Sequence, residues 1–153
     1  MIKPSAEAIN TITISRIKEI LPQAYPFLMI DRVVEFKKGE SLTAVKNITA
    51  DEWMFDNHAN PSGIFPETLI IEAAAQAALA FFILNQWDGD SAKPQVLLGR
   101  AKAEFLKSVQ VGDELNLQVM SYKEFGKSGY SSVHVSVAQQ PTAQVEIYYS
   151  LKY

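Results

Sequence analysis

The chain has no cysteine and only two histidines, His58 and His134, among its 153 residues. Without cysteine it can form neither a disulfide nor a catalytic thiolate, and two histidines far apart in sequence do not suggest the usual structural zinc site. Any chemistry that the protein performs must therefore rely on few groups. We expect no metal ion and no cofactor.

Positive charge is also scarce, with 14 Lys and Arg residues against 17 Asp and Glu residues and a net charge of -3. Because a protein that grips a phosphate backbone needs a basic surface, we expect no nucleic-acid partner. The P-loop pattern G-x-x-x-x-G-K-[ST] and the dinucleotide pattern G-x-G-x-x-G are both missing, so nucleotide binding has no support. A G-x-S-x-G nucleophile elbow is missing as well.

Long uncharged apolar runs are lacking too. Charged side chains, among them Glu7 and Arg16, interrupt the first 21 residues, which is unlike a signal peptide and predicts a cytoplasmic protein. The most apolar stretch, residues 68–84, contains Glu72 and Gln76, and both would be costly to bury in lipid. We expect this stretch to be a buried helix that does not span a membrane.

Apolar residues make up 48% of the chain, and its length suits a single self-supporting core, so residues 1–153 are predicted to form one domain. Apolar spacing over residues 14–21, stopped by Pro22, indicates a short helix. A second helix is predicted from Pro66 to Trp87, apolar nearly all round. Six strands are predicted over residues 28–36, 41–48, 95–105, 114–123, 130–138 and 143–151. The fold class is therefore α+β, a mostly antiparallel sheet wrapped on one long helix.

Glu72 is the first candidate for chemistry because it lies inside the apolar helix. An ionised carboxylate there is costly unless it is paired or hydrogen-bonded. Gln76 lies four residues on, on the same helical face, and could orient the carboxylate. A purely structural Glu72, capped by Gln76 or by a backbone group, is the alternative.

The second candidate is His58, in the turn-rich run DNHANPSG at residues 56–63, just ahead of the long helix. Histidine suits proton abstraction near neutral pH, so His58 and Glu72 offer a base and an acid. His134 alternates with valines along a predicted strand and is expected to be structural or to face solvent. The aromatic residues are predicted to be core residues or the walls of an acyl groove, namely Trp53, Phe55, Phe81 and Phe82.

Residues 20–33, which read ILPQAYPFLMIDRV, resemble the opening signature of the hotdog-fold 3-hydroxyacyl-acyl-carrier-protein dehydratases of type II fatty acid synthesis. The Leu-Pro, Tyr-Pro-Phe-Leu and Asp-Arg-Val pieces stand in the same order. Further parts of the chain are similar to the active-site loop, the central helix and the later strands of that family. They are residues 44–49, His58, Pro66, Leu69, and residues 71–77, 97–99 and 111–113. The similarity extends from residue 14 to the last strand.

The resemblance implies a hotdog fold, with a curved antiparallel sheet of about six strands around a central helix. It also implies a dimer in which the histidine of one subunit faces the carboxylate of the other. His58, fourteen positions before Glu72, would remove the C2 proton of a 3-hydroxyacyl thioester, and Glu72 would protonate the leaving hydroxyl to give a trans-2-enoyl product. At the start of the helix opened by Pro66, the backbone N–H of Glu67 would stabilise the thioester carbonyl, and Gln76 would complete the substrate site.

The partners implied are an acyl carrier protein or coenzyme A thioester and a second hotdog subunit, in a homodimer, a heterodimer or a higher oligomer. Arg100, Lys102 and Lys107 are candidate carrier contacts, with solvated strand ends as their alternative. The pathway implied is fatty acid biosynthesis or related lipid or polyene biosynthesis.

Three positions differ from the family pattern. Residues 57–61 read NHANP where the family usually has Gly-His-Phe-Pro-Gly, Glu67 replaces a glycine, and Gln23 replaces a frequent histidine. The Glu67 carboxylate could cap the helix, or it could repel the enolate-like charge of the reaction. Two alternatives therefore stay open, a weak or inactive hotdog subunit that partners an active dehydratase, and a hotdog acyl thioesterase in which a carboxylate activates water.

Overall fold

The computed structural model describes residues 11–56 and 60–152. It contains one short helix, one long helix, a single turn of 3-10 helix at Trp53–Phe55 and six strands. The helices are α1 (Ile14–Ile20) and α2 (Glu67–Gln86). The strands are β1 (Arg32–Lys37), β2 (Ser41–Asn47), β3 (Gln95–Phe105), β4 (Glu114–Phe125), β5 (Ser128–Val137) and β6 (Gln140–Lys152).

All six strands form one antiparallel sheet in the order β1-β2-β4-β5-β6-β3. Side chains alternate between the two faces, so the inner rows of the central strands are buried apolar residues while the outer rows are polar or aromatic. The chain crosses from β2 at one side of the sheet to β3 at the opposite edge, and α2 lies on that crossover. Among the described residues β3 pairs only with β6, so one side of β3 is a free edge.

Helix α2 is the centre of the core. Eleven of its twenty residues are buried, on nearly all sides of the helix. By length and composition α2 could also cross a membrane, but here its apolar side chains pack against the inner face of the sheet and against α1. The Asn85 side chain accepts a hydrogen bond of 2.8 Å from the Gly39 N–H, which ties the end of α2 to the β1–β2 turn.

The predicted α+β architecture, six antiparallel strands around one long helix, is confirmed. Helix α2 begins one residue later than predicted, because Pro66 is its N-cap. Strand β1 begins at Arg32 and not at residue 28, because Gln76 and Val45 take the N–H groups of Met29 and Asp31.

The prediction that Trp53 is a core residue was wrong. Its side chain is 44% exposed, whereas Phe55, Phe81 and Phe82 are buried as predicted. The Trp53 indole packs against the exposed Phe27 ring, with centroids 6.1 Å apart, and its Nε1–H donates to the Pro26 carbonyl at 3.2 Å. An indole can satisfy its N–H at the surface in this way, which composition and spacing do not reveal.

Candidate active site

Glu72 and Gln76 lie one turn apart on α2, as the sequence predicted, and the structure joins them directly. The Gln76 Nε2–H donates to Glu72 Oε1 at 2.7 Å. Glu72 is partly buried, while Gln76 has no exposed surface. The carboxylate is therefore held on one side by an amide that is itself fixed inside the protein.

Gln76 also anchors the segment between α1 and β1. Its Oε1 accepts from the Met29 N–H at 2.7 Å, and its Nε2–H donates to the Phe27 carbonyl at 2.6 Å. Both N–H donors of the amide are used and its oxygen accepts one hydrogen bond, so these contacts fix its orientation. Gln76 therefore acts on the site by holding Glu72, because it has no exposed surface with which to contact a ligand itself.

A cavity of about 130 Å³ opens beside Glu72 and is walled mostly by apolar side chains. Helix α2 forms one wall, and the inner rows of β3 and β6 form the other. The lining residues are Gln23, Glu72, Ala75, Ala78, Leu79, Phe82, Val96, Leu98, Ile147 and Tyr149. A carboxylate in a mostly apolar slot with few polar groups is the arrangement expected of a small-molecule site that does acid-base chemistry.

Gln23 is a further polar residue of this cavity. In the sequence Gln23 stands out only as a replacement for a frequent histidine, and no local pattern indicates that it reaches the site. Its Oε1 is buried and has no hydrogen-bond partner among residues 11–56 and 60–152. An unpaired buried acceptor costs stability, so it marks a position where a ligand group can donate.

His58, the predicted base, lies outside the described residues, but both of its flanks are fixed. The Asn60 N–H donates to the Asp56 carbonyl at 3.2 Å. On the N-terminal side of His58, the largely buried Lys46 and Glu52 form an ion pair at 2.9 Å. On its C-terminal side, the Phe65 N–H donates to Val109 at 2.7 Å. The described residues on both sides of His58 are therefore held at defined positions.

The other predicted site residues do not line this cavity in a single subunit. Glu67 is exposed in the first turn of α2. The Pro66 carbonyl accepts from Leu69 and Ile70 at 3.0 and 3.3 Å, and Pro66 offers no side-chain cap. His134 is exposed on β5, as predicted. Within the described part of the chain, no three His, Asp or Glu side chains are grouped as a metal ion would require.

A protein-family model described as a FabA-like domain matches residues 21–145, which is most of the chain and includes α2. The chain belongs to the FabA-like family. Curated relatives of this FabA-like protein include the 3-hydroxyacyl-[acyl-carrier-protein] dehydratase FabZ of Oceanobacillus iheyensis, 36% identical over 91% of this chain and 98% of the relative. FabZ of Shewanella woodyi is 37% identical over 93% of each chain.

Solved structures show the same fold at low sequence identity. One chain of the dehydratase heterocomplex ApeI:P from Xenorhabdus doucetiae superimposes on this FabA-like chain with a TM-score of 0.75, 13% identity, and coverage of 90% and 91% of the two chains. Cj0977, a virulence protein from Campylobacter jejuni, gives a TM-score of 0.66 at 21% identity, covering 91% and 89%. The predicted hotdog fold is thereby confirmed.

Proposed function

We propose that this protein is a 3-hydroxyacyl thioester dehydratase of lipid biosynthesis that converts 3-hydroxyacyl groups on an acyl carrier protein into trans-2-enoyl groups. The observation that carries the proposal is the Glu72 carboxylate, held by the buried Gln76 amide beside an apolar cavity. Curated relatives of the family that match nearly the full length of this chain bear the dehydratase name.

The reaction needs one base and one acid. His58 takes the proton from C2, the electrons move to form the C2–C3 double bond, and the hydroxyl leaves C3 with a proton from Glu72 as water. Because Gln76 donates to Oε1 of Glu72, Oε2 is the oxygen that would face the substrate hydroxyl. No electrons are exchanged with a cofactor in this step.

Charge that develops on the thioester oxygen needs donors. Helix α2 starts at Glu67 after an N-cap without a side-chain acceptor, so its first N–H groups point along the helix axis with the positive end of the helix dipole. We propose that the Pro66–Glu67 turn receives the carbonyl. The exposed Glu67 carboxylate can turn toward solvent while its backbone N–H keeps this role.

The acting unit in this proposal is a dimer, with His58 of one subunit opposite Glu72 of the other. The free edge of β3 supports this assembly, since it presents Leu97 and Leu98, each more than half exposed. A free edge strand of eleven residues that exposes two leucines is a surface that proteins normally cover by pairing. The second subunit can be the same chain or another hotdog protein.

We place the protein in the cytoplasm, as one domain over residues 1–153, with the acyl group delivered by acyl carrier protein or coenzyme A. Arg100, Lys102 and Lys107 are all exposed on or just after β3 and could meet an acidic carrier. Arg100 also lies over the Tyr148 ring at 5.8 Å, which limits its reach.

The test is hydration of a 2-enoyl thioester of acyl carrier protein by the purified chain, followed by loss of the enoyl absorbance. His58→Ala and Glu72→Gln should each lower kcat by about 10²- to 10⁴-fold. Glu40→Gln, which removes an exposed carboxylate in the β1–β2 turn, is the matched control and should leave the rate unchanged. Release of free thiol in place of hydration would show a thioesterase, and activity that arises only with a second hotdog protein would show a partner subunit.

A further inference from the structure

The cavity beside Glu72 follows one face of α2. Five residues of the helix form one wall, and after the first they follow at three, six, seven and ten residues: Glu72, Ala75, Ala78, Leu79 and Phe82. At 1.5 Å per residue this wall is about 15 Å long, with the carboxylate at one end and Phe82 at the other. An acyl chain attached to the reacting carbons would therefore extend away from Glu72 toward Phe82.

Two aromatic rings meet at the far end. Tyr149 on β6 lines the cavity together with Phe82, and both side chains are almost fully buried. Their ring centroids are 5.4 Å apart with an edge-to-face tilt of 62°, a favourable geometry for an aromatic pair. The pair closes the apolar path at the end opposite the carboxylate.

The position of the Tyr149 ring depends on Gly129. In the register of the sheet Tyr149 pairs with Gly129 of β5 on one side and with Leu98 of β3 on the other. A Cβ atom built on Gly129 would overlap the hydroxyl-bearing end of the Tyr149 ring. The ring therefore lies over the glycine, on the β5 side, and leaves the β3 side to the cavity, where Leu98 forms the wall.

Gly129 is not needed for its backbone conformation. Its φ lies outside the left-handed region, so any residue could adopt it. Glycine otherwise weakens a strand interior, and it often marks a place where another group approaches closely. Here the group that approaches is the Tyr149 ring.

We propose that Tyr149, seated over Gly129, sets the acyl chain length that this enzyme accepts and limits it to short chains. This rests on the proposed function, because it names the substrate class of the same site. The size of the cavity supports it, since about 130 Å³ is close to the roughly 150 Å³ that holds one benzene molecule in an engineered protein cavity. With alanine at position 129 the ring must move toward β3, into the acyl path.

The experiment compares kcat/KM over 2-enoyl thioesters from butenoyl to hexadecenoyl. Tyr149→Leu should move the optimum to longer chains, with a gain of about fourfold for each further methylene group that it buries. Gly129→Ala should lower the rate most for the longest chains that wild type accepts. Tyr148→Leu is the matched control, because it makes the same change at the neighbouring tyrosine, which is 38% exposed and does not line this cavity, and it should leave the chain-length profile unchanged.

A double variant separates this role from general damage to the fold. Since leucine does not extend over residue 129 as the tyrosine ring does, Gly129→Ala should have little effect in the Tyr149→Leu background. If wild type and all variants turn over substrate with the same chain-length profile, the inference is overturned while the proposed function stays intact.

A binding measurement keeps the inference testable without turnover. Saturated acyl-pantetheine thioesters of increasing length should raise the Tm of wild type only while they fit, and should raise that of Tyr149→Leu for longer chains as well. If this shift occurs and no enoyl thioester is hydrated, the chain-length inference stands and the proposed function fails. If the increase in Tm depends on acyl chain length in the same way in both proteins, the inference is refuted.

Discussion

Replacing Gln76 by leucine tests whether one buried amide holds both the fold and the site. The side chain is fully buried and joins Glu72 on α2 to Met29 and Phe27 on the segment before β1. Leucine has a similar volume, so the change removes hydrogen bonds without opening a large cavity. The expected result is lower stability together with lower activity.

The expected loss can be worked out from the contacts. A buried polar group that loses its partner costs about 1–3 kcal/mol. Met29 is buried and its N–H loses its acceptor, while the Phe27 carbonyl is only partly buried, so we expect the free energy of unfolding to fall by about 3 kcal/mol. For a chain of this size that is a decrease in Tm of about 6–12 °C. Activity should fall by about tenfold or more, because the Glu72 carboxylate loses a positioned hydrogen bond.

The loss of stability is measured by urea unfolding, as a lower midpoint with an unchanged m value. The loss of activity is measured as kcat/KM at a temperature where both proteins are folded. Gln86→Leu is the control, because Gln86 is on the same helix but exposed, with a hydrogen bond of 2.9 Å to Glu124. It should change stability by no more than about 0.5 kcal/mol. A Gln76→Leu protein with the urea midpoint of wild type would refute the reasoning.

Two further predictions concern pH and assembly. Burial of the Tyr130 phenol, and its hydrogen bond to Glu146, raise its pKa above 10.0, so the folded state keeps a proton that the unfolded chain gives up; this stability is present below pH 10 and is lost as the pH rises through the raised value. Tyr130→Phe should show a flatter fall of the urea midpoint at alkaline pH, and equal slopes would contradict this. Leu97→Asp, on the free edge of β3, should shift the mass measured by light scattering to the 17.0 kDa of a single chain; an unchanged mass would move the dimer interface elsewhere.

Elements with a strong local signal could be predicted from the sequence. Helix α2 has a proline at its start, twenty residues of good helix formers and Asp88-Gly89 after its end, and the structure gives Glu67–Gln86. Strand β3 occupies the predicted residues 95–105. The first strand was predicted too long because residues 28–31 are as apolar as a strand, while their backbone groups bond to a side chain and to the end of β2.

The site could be predicted only in part, because periodicity identifies residues that contrast with their neighbours. Glu72 and Gln76 stand out as polar residues on an apolar helix, and their contact follows from the spacing of four. The tertiary partners of Gln76 lie 47 and 49 residues away, beyond what a local pattern can indicate. Gln23 joins the cavity through the same kind of long-range packing.

Gly129 shows most clearly why cavity shape escapes sequence reasoning. In the printed sequence it is one turn-forming residue after Lys127 and Ser128, and turn chemistry is the simplest explanation for it there. In the structure it is the second residue of β5, and its lack of a side chain makes room for a ring on the neighbouring strand. The shape of the cavity beside Glu72 therefore depends on the Cβ atom that Gly129 lacks, twenty residues before Tyr149 in the sequence. Only the register of the sheet places Gly129 beside Tyr149. The strand pairing, and not a sequence motif, therefore determines the substrate range that we infer for this FabA-like protein.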